Sequence, residues 1–525
     1  MLKRTPFNAD SIKKKGKGFL GIEGGVYIKA FFGGNAFIAF IVLALITFFL
    51  FKEGAEFFPQ YRRDMELYRK SGQEFVGLMK EGVDEFNNLQ RELDQVQVDI
   101  ITRLYEEGKT WEEVTALTGP FQAFTISTRA TAEPLKKIVK EAIDLSVGAK
   151  ERVMVNSTRR TIAGVDLSEL MTTEEEEAFL QGTRAELVAM LPQIQVAYQT
   201  FQTNLKEALD AIPEVESADA SEALVAYEKS ANRYMEKIPS VEKKLTEYNP
   251  EKSYTLFQTI GGFLFGGQWV TNSSWQDFYG IWPLLSGSLL VTAVALLYAV
   301  PLGIFSAIYV NQVATVKEQN LIKPYIEFIS AIPSVVIGFF GIAVFGTMIR
   351  YLSEQEWLSW VPFFPVSERL NAYTAGGLLA LMAVPTIFTL AEDALNNVPK
   401  AFTEASEAMG ATRWQTVWRI QIPTALSGII SAVLLGFGRV IGETMVVLLC
   451  AGNRIAVPNF DKGLGTFFEP VHTMTGIIAQ EMGEVVPGSI HYRALFCVGI
   501  LLFFLSLLIN YVAQVLVRRY KISAG

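Results

Sequence analysis

The stretch from residue 425 to residue 451 reads ALSGIISAVLLGFGRVIGETMVVLLCA, and it is apolar apart from one basic and one acidic residue, Arg439 and Glu443. About 20 apolar residues, each rising 1.5 Å along a helix, cross the hydrocarbon core of a bilayer. The stretch therefore predicts a membrane-spanning helix. The presence of two charged residues, four positions apart, inside such a helix needs a physical explanation.

The composition of the whole chain agrees with a membrane protein that also has a soluble part. Half of the 525 residues (50%) are hydrophobic, yet 19% are charged, and residues 52–252 hold 62 of the 100 charged side chains. The two cysteines, Cys450 and Cys497, lie far apart in apolar segments. We therefore expect neither a disulfide nor a metal site in this chain.

Six apolar segments are long enough to cross a membrane. They are residues 31–51, 284–310, 325–349, 373–391, 425–451 and 494–517. Several contain Pro and Gly, which membrane helices tolerate because neighbouring helices satisfy the freed backbone groups. The first segment is too long for a signal peptide, so it predicts an uncleaved anchor.

Basic residues near the ends of these segments predict the orientation, because Lys and Arg concentrate on the cytoplasmic side. The basic clusters are Lys3, Arg4, Lys13, Lys14, Lys15 and Lys17; Lys317 and Lys323; Lys400, Arg413 and Arg419; and Arg518, Arg519 and Lys521. Both termini are thus predicted to be cytoplasmic, with residues 1–30 a basic N-terminus. Residues 52–254 become a periplasmic insert, and residues 255–525 a core with five spans.

The insert has helical periodicity, with apolar residues recurring at steps of three and four. One stripe is Met79, Val83, Phe86, Leu89, Leu93, Val96 and Ile100, and a second is Leu187, Leu191, Ile194, Tyr198, Phe201, Leu205 and Leu209. These stripes predict an all-helical bundle or coiled-coil hairpin. The acidic run 174–177 predicts a solvated helix start.

The loop between the fourth and fifth spans, residues 392–424, contains EASEAMGATRWQTVWRIQIP at 404–423. We expect a helix with Glu404 in its first turn and a left-handed Gly410 at its end. A second short helix would then present an apolar edge formed by Trp414, Val417 and Trp418. The loop is either a connector that rests on its own bundle or a docking element for a cytosolic partner.

This loop resembles the EAA motif of binding-protein-dependent ABC importers, E-A-A, three residues, G, nine residues, I-x-L-P. Glu404, Ala405, Ser406 and Gly410 stand at its spacing, with Ser406 in place of Ala, and Ile420 to Pro423 completes it. The stretch GRVIGETMVVLLCAGN, residues 438–453, is similar to the R-x-I-G-E-T-M signature of PstC-type permease subunits of phosphate importers. The likeness covers about residues 255–522, and the long insert departs from it.

The resemblance implies an all-α type I importer core of six transmembrane helices in the bacterial inner membrane. It implies a PstA-like second permease, two PstB-like ATPase subunits carrying ATP and Mg, and a PstS-like periplasmic phosphate-binding protein. Glu404, Ala405, Ser406, Gly410 and Trp414 would couple ATP binding to the spans. The chain has no G-x-x-x-x-G-K-[ST] loop, so we expect no ATP hydrolysis and no cofactor in this chain itself.

The charged pair has two interpretations. An isolated charge at mid-membrane costs about 2.5 to 3.5 kcal/mol on insertion scales, so Arg439 and Glu443, facing one side of a helix, could neutralise each other. Alternatively, Arg439 presents its planar fork of donors to an oxyanion, and Glu443 accepts the proton that phosphate keeps and sulfate lacks. Thr444 is a third candidate for the substrate path, and Asn453 and Arg454 are weaker ones.

Three other functions remain open from the sequence. A permease for sulfate or molybdate would share the EAA-like loop at residues 392–424. A membrane receptor would use the insert as an outer sensor domain, and a secondary transporter should show inverted repeats. The expected surroundings are membrane lipid, with no nucleic acid among the partners.

Overall fold

A computed structural model describes residues 24–161, 170–212, 218–249, 254–271, 273, 275–358 and 360–520. The basic cluster predicted within residues 1–23, and Lys521 of the C-terminal cluster, lie outside the described residues. The chain divides into two compact units. The membrane unit comprises Met1–Pro59, Gly261–Trp269 and Tyr279–Gly525, and the insert unit comprises Gln60–Ile260 and Val270–Phe278. The predicted domain limits at 31–51, 52–254 and 255–525 stay predictions.

The described part of the chain is almost entirely helical. The helices up to the end of the insert are α1 (Gly24–Ala55), α2 (Phe57–Lys70), α3 (Gln73–Glu106), α4 (Trp111–Thr131), α5 (Glu133–Thr161), α6 (Thr173–Ala189), α7 (Leu191–Asp210) and α8 (Ala218–Thr246). Two short paired strands follow, β1 (Trp269–Val270) and β2 (Phe278–Tyr279).

The remaining helices include several short segments. They are α9 (Leu256–Phe265), α10 (Trp282–Ile308), α11 (Val316–Ala331), α12 (Ser334–Phe340), α13 (Gly346–Ser353), α14 (Ala372–Asn396), α15 (Lys400–Ala408), α16 (Arg413–Thr416), α17 (Ile422–Ile441), α18 (Met445–Cys450), α19 (Met474–Glu481) and α20 (Ile490–Tyr520). Wider π-helical turns occupy Tyr309–Val313, Gly341–Phe345 and Val417–Gln421, and 3₁₀ turns occupy Glu356–Leu358 and Phe460–Phe468.

The insert unit buries the two apolar stripes in one core, which confirms the predicted helical bundle. Met79, Phe86 and Leu93 of α3 are buried, as are Tyr198 and Phe201 of α7. The rings of Phe86 and Phe201 meet edge to face, with centroids 4.9 Å apart. Each such side chain stabilises the bundle by about 1.5 to 3 kcal/mol through removal from water.

The acidic run does begin a helix, as predicted. Thr172 caps α6, and the Thr172 backbone N–H donates to Glu175 Oε2 at 2.6 Å. Glu174 and Glu175 are exposed, as a solvated start requires, whereas Glu176 and Glu177 are half-buried and have cationic partners. Arg160 Nη2 lies 3.3 Å from Glu176 Oε1, and Lys70 Nζ lies 2.7 Å from Glu177 Oε2.

Six helices in the described part of the chain are long and apolar enough to cross a membrane, as the sequence predicts. They are Phe31–Lys70, Trp282–Val313, Ser334–Ser353, Ala372–Asn396, Arg413–Ile441 and Ile490–Leu516.

Two spans differ from their predicted limits. The third is predicted at 325–349, but α11 ends at Ala331 and α12 begins at Ser334. The reason is Pro333, which has no N–H to donate and holds Ile332 in an extended conformation (φ −70°, ψ 125°). The fifth is predicted at 425–451 as one helix, but α17 ends at Ile441.

The helix α14 packs closely on both α10 and α17 through Ile387. A β-carbon added to Gly303 of α10 would lie 2.8 Å from Ile387 Cγ2, and one added to Gly436 of α17 would lie 2.6 Å from Ile387 Cγ1. Glycine at these positions is what allows the helices to approach. This contact fixes the relative placement of α14 and α17, which carry the candidate site.

Candidate functional site

The fifth span is followed by a break in the helix at Gly442–Thr444, after which α18 continues the apolar stretch. The break is held by specific hydrogen bonds. The Glu443 N–H donates to the Val440 carbonyl at 3.1 Å, and the Thr475 hydroxyl of α19 donates to the Glu443 carbonyl at 2.8 Å. Irregular backbone inside a membrane protein persists only where protein groups satisfy it or where it lines a cavity.

Arg439 lies in the last turn of α17, just before the break. Its Nη1 donates to the hydroxyl oxygen of Thr386 on α14 at 2.7 Å. The side chain is exposed in the isolated chain. Within the described ranges, no carboxylate forms an ion pair with Arg439. The guanidinium therefore keeps most of its donors for a ligand or a partner.

The predicted neutralisation of Arg439 by Glu443 along one helix face is wrong. The helix ends at Ile441, between the two residues, and their side chains form no ion pair with each other in the described ranges. Glu443 is half-buried, and its carboxylate has no ion pair in the part of the chain that the structure describes. The site thus holds one cation and one anion that are not paired with each other.

The three lesser candidates differ in what surrounds them. Thr444 is half-buried and forms part of the break itself, with its hydroxyl 3.5 Å from the Gly442 carbonyl. Asn453 has a positive φ of 52°, and its Nδ2 donates to the Leu448 carbonyl at 2.8 Å at the end of α18. Arg454 lines a cavity of about 160 Å³ together with the ion-paired Lys462 and Glu469.

The loop between the fourth and fifth spans folds into α15 and α16 around a sharp turn. Gly410 is left-handed (φ 82°) and follows the end of α15, as predicted. The expectation that Glu404 lies in the first turn is wrong, because α15 already begins at Lys400. The Ser406 and Thr416 hydroxyl groups lie 2.9 Å apart, and this hydrogen bond ties α15 to α16.

The loop exposes a group of large apolar side chains, which we call the loop face: Met409, Trp414 and Trp418, exposed by 88%, 58% and 53%. Glu404 and Ala405 are also exposed. Val417, predicted to share the apolar edge, is buried instead and packs into the core. Side chains this exposed do not rest on their own bundle, so the loop face favours the docking alternative.

Thr386 and Thr475 are the two residues that sequence reasoning missed. Thr386 lies 53 residues from Arg439, and Thr475 lies 32 residues from Glu443. Threonine is common in membrane helices, so the sequence offers no signal that singles out either position.

The chain belongs to the family described as binding-protein-dependent transport system inner membrane component, which matches residues 299–522. It is 32% identical over 281 residues to the probable ABC transporter permease protein YqgH of Bacillus subtilis (strain 168), covering 51% of this chain and 85% of that protein.

A second relative bears a more specific name. The phosphate transport system permease protein PstC of Pasteurella multocida (strain Pm70) is 27% identical over 282 residues, covering 52% of this chain and 85% of that protein. A solved structure of the MetNI methionine ABC transporter covers 46% of this chain and 94% of its own at 20% identity, with a TM-score of 0.33. The predicted family and the all-α, six-span fold class are confirmed. The chain is a multi-pass inner-membrane protein.

Proposed function

We propose that this chain is the PstC-like permease subunit of an ATP-driven phosphate importer and forms half of its translocation path. The observation that carries the proposal is the exposed Arg439 guanidinium beside a break in a membrane helix, with no carboxylate partner in the described ranges. An uncompensated charge in an apolar segment is costly, and such residues mark ion and substrate pathways. The PstC relative adds support for phosphate as the substrate.

The chemistry of the two charged groups fits a partly protonated tetrahedral anion. The Arg439 fork can donate to two oxygens of the anion at once. Glu443 accepts a hydrogen bond from the hydroxyl that phosphate keeps at neutral pH, and its charge repels fully ionised sulfate. Since the two side chains are not paired with each other, both are available to the substrate. The hydroxyl of Thr444, within the break, donates to the Gly442 carbonyl at 3.5 Å, and Thr444 remains a candidate for the same path.

The inner loop would transmit the closure of the ATPase subunits to the spans. The loop face of Met409, Trp414 and Trp418 is exposed, and tryptophans are frequent hot spots in interfaces. Two PstB-like subunits, which bind ATP and Mg, would dock on this loop and on its counterpart in a PstA-like permease. Because α16 runs through a π-helical turn into α17, movement of the loop would reach Arg439 along a single helical path.

The proposed topology has both termini in the cytoplasm and the insert in the periplasm, where a PstS-like protein delivers phosphate. Its support is the distribution of Lys and Arg around the spans. The exposed apolar side chains of α1, such as Phe32, Phe40 and Phe48, would contact membrane lipid.

The test is transport by the purified four-subunit complex in proteoliposomes, with ATP inside and the binding protein outside. We expect uptake of radiolabelled phosphate that requires both ATP and the binding protein, and no inhibition by excess sulfate. Uptake of sulfate in place of phosphate would overturn the substrate. Failure of the chain to co-purify with ATPase subunits would overturn the proposed role.

A further inference from the structure

The hydrogen bond between Arg439 and Thr386 joins the two helices that form the candidate site. The Arg439 N–H donates, and the Thr386 hydroxyl oxygen accepts at 2.7 Å. A hydroxyl that accepts one hydrogen bond still has its own hydrogen to donate. No acceptor for that hydrogen is present among the described residues.

Thr389, one turn further along α14, provides the contrast. Its hydroxyl donates to the Pro385 carbonyl at 2.9 Å, which is the usual arrangement for threonine inside a helix. Two threonines on the same helix thus use their hydroxyl groups differently. The Thr389 hydroxyl donates to a backbone carbonyl, whereas the Thr386 hydroxyl accepts from the Arg439 guanidinium and has no acceptor for its own hydrogen among the described residues.

Both partners of this bond are held by the surrounding packing. Thr386 precedes Ile387, which is fully buried against Gly436 of α17. Arg439 lies three residues after Gly436, which places it on the neighbouring position of the same helix face. The Ile387–Gly436 contact therefore fixes the distance at which the hydroxyl and the guanidinium meet.

We propose that Thr386 is a second ligand of the oxyanion: its oxygen orients the Arg439 fork, and its hydroxyl hydrogen donates to an oxygen of the bound anion. This inference rests on the proposed function. A tetrahedral oxyanion presents several acceptor oxygens, which suits a guanidinium and a hydroxyl that point donors into one site. Because the Thr386 hydroxyl donates a hydrogen bond, it can bind an oxyanion whether or not that anion carries a proton, and it contributes affinity for oxyanions in general. Glu443 accepts a hydrogen bond, so it contributes the preference for an anion that carries a proton.

The test is equilibrium dialysis of radiolabelled phosphate against the purified, assembled complex without the binding protein. We compare Thr386→Val, which keeps the shape and loses the hydroxyl, with Thr386→Ser, which keeps the hydroxyl. Thr389→Val is the matched control on the same helix. Thr386→Val should weaken phosphate binding about tenfold, the usual effect of losing a hydrogen bond to a charged group. Thr386→Ser should bind within about twofold of the wild type, and Thr389→Val should be unchanged.

Three outcomes would overturn the inference. The first is normal phosphate binding by Thr386→Val. The second is an equal loss in Thr386→Ser and Thr386→Val, which would mean that packing and not the hydroxyl matters. The third is an equal loss in Thr389→Val.

The same assay separates this inference from the proposed function. If the wild-type complex binds sulfate and not phosphate, the proposed substrate fails. The inference then predicts the same tenfold loss of sulfate binding in Thr386→Val. If the wild-type complex binds neither anion, both ideas fail.

Discussion

The insert unit and the break after the fifth span differ in how their charged side chains are partnered. In the insert, Arg69 donates to both carboxylate oxygens of Glu74, at 2.5 and 2.9 Å, and the Tyr254 hydroxyl donates to the same carboxylate at 3.2 Å. At the break, Arg439 contacts only a hydroxyl among the described residues, and Glu443 has no ion pair there. A bidentate pair already satisfies its own charges, whereas unpaired charges in an apolar segment are retained for a ligand.

Substitution of Arg439 should have the largest effect of any change in these two regions. Arg439→Ala should lower phosphate uptake about a hundredfold, because two charge-assisted hydrogen bonds of about 1.5 kcal/mol each are lost. Arg439→Lys should recover only a small part, since lysine has no planar fork. The measurement is initial uptake in proteoliposomes at equal complex density.

The matched control is Arg129→Ala in the insert, where the exposed Arg129 pairs with Asp94 at 2.7 Å. That change should leave uptake within about twofold of the wild type, because exposed ion pairs contribute little. Equal losses of phosphate uptake in Arg439→Ala and Arg129→Ala would contradict a special role for the unpaired arginine.

The variant Glu443→Gln should change the selectivity between phosphate and sulfate. The variant loses the acceptor charge, so phosphate uptake should fall about tenfold while sulfate becomes a competitor. Competition by sulfate at graded concentrations measures this effect directly. A variant that still excludes sulfate would show that Glu443 does not discriminate between the anions.

Substitutions at Gly410 test whether the loop connects the helix break to the ATPase subunits. A valine at φ 82° should strain the turn by about 1 to 2 kcal/mol, whereas asparagine tolerates this conformation. Among the described residues, apart from its chain neighbours, no atom lies within 4 Å of a β-carbon added at Gly410, so the effect comes from the backbone alone. We expect Gly410→Val to reduce co-purification of the ATPase several-fold and Gly410→Asn to retain it. Similar loss in both variants would contradict a turn-based cause.

The smallest effect is expected at the cap of α6 in the insert. Thr172→Ala removes the side-chain acceptor for the Glu175 N–H and should destabilise the helix start by about 1 kcal/mol. Hydrogen exchange over residues 173–189 measures it, with Thr200→Ala as the control on α7. Unchanged exchange at α6 would show that the cap contributes nothing.

The stabilising contribution of the same cap should depend on pH. The Thr172 backbone N–H lowers the pKa of the Glu175 carboxyl. Its stabilising contribution is therefore complete above the ordinary carboxyl pKa and is lost as the pH falls through the lowered value in the folded state. The wild type should approach the exchange behaviour of Glu175→Gln only in acid.

Much of the architecture follows from local patterns. The stripes of α3 and α7 predicted the helical bundle, because burial of one face at helical spacing needs no knowledge of the partner. Gly410 predicted its own left-handed turn, since few other residues adopt that conformation. Pro333 is also a local signal, because a proline has no N–H to donate, and it separates α11 from α12 within the predicted third span.

Hydrophobic patterning alone is enough to predict a helical membrane protein with six spans, a helical insert and one charged pair in an apolar stretch. The arrangement of that pair depends on how the helices pack. The helix stops at Ile441 and the freed carbonyl of Glu443 is met by Thr475, while Arg439 turns to Thr386. Each of these contacts joins residues distant in sequence, and their spacing depends on helix packing that no local periodicity encodes.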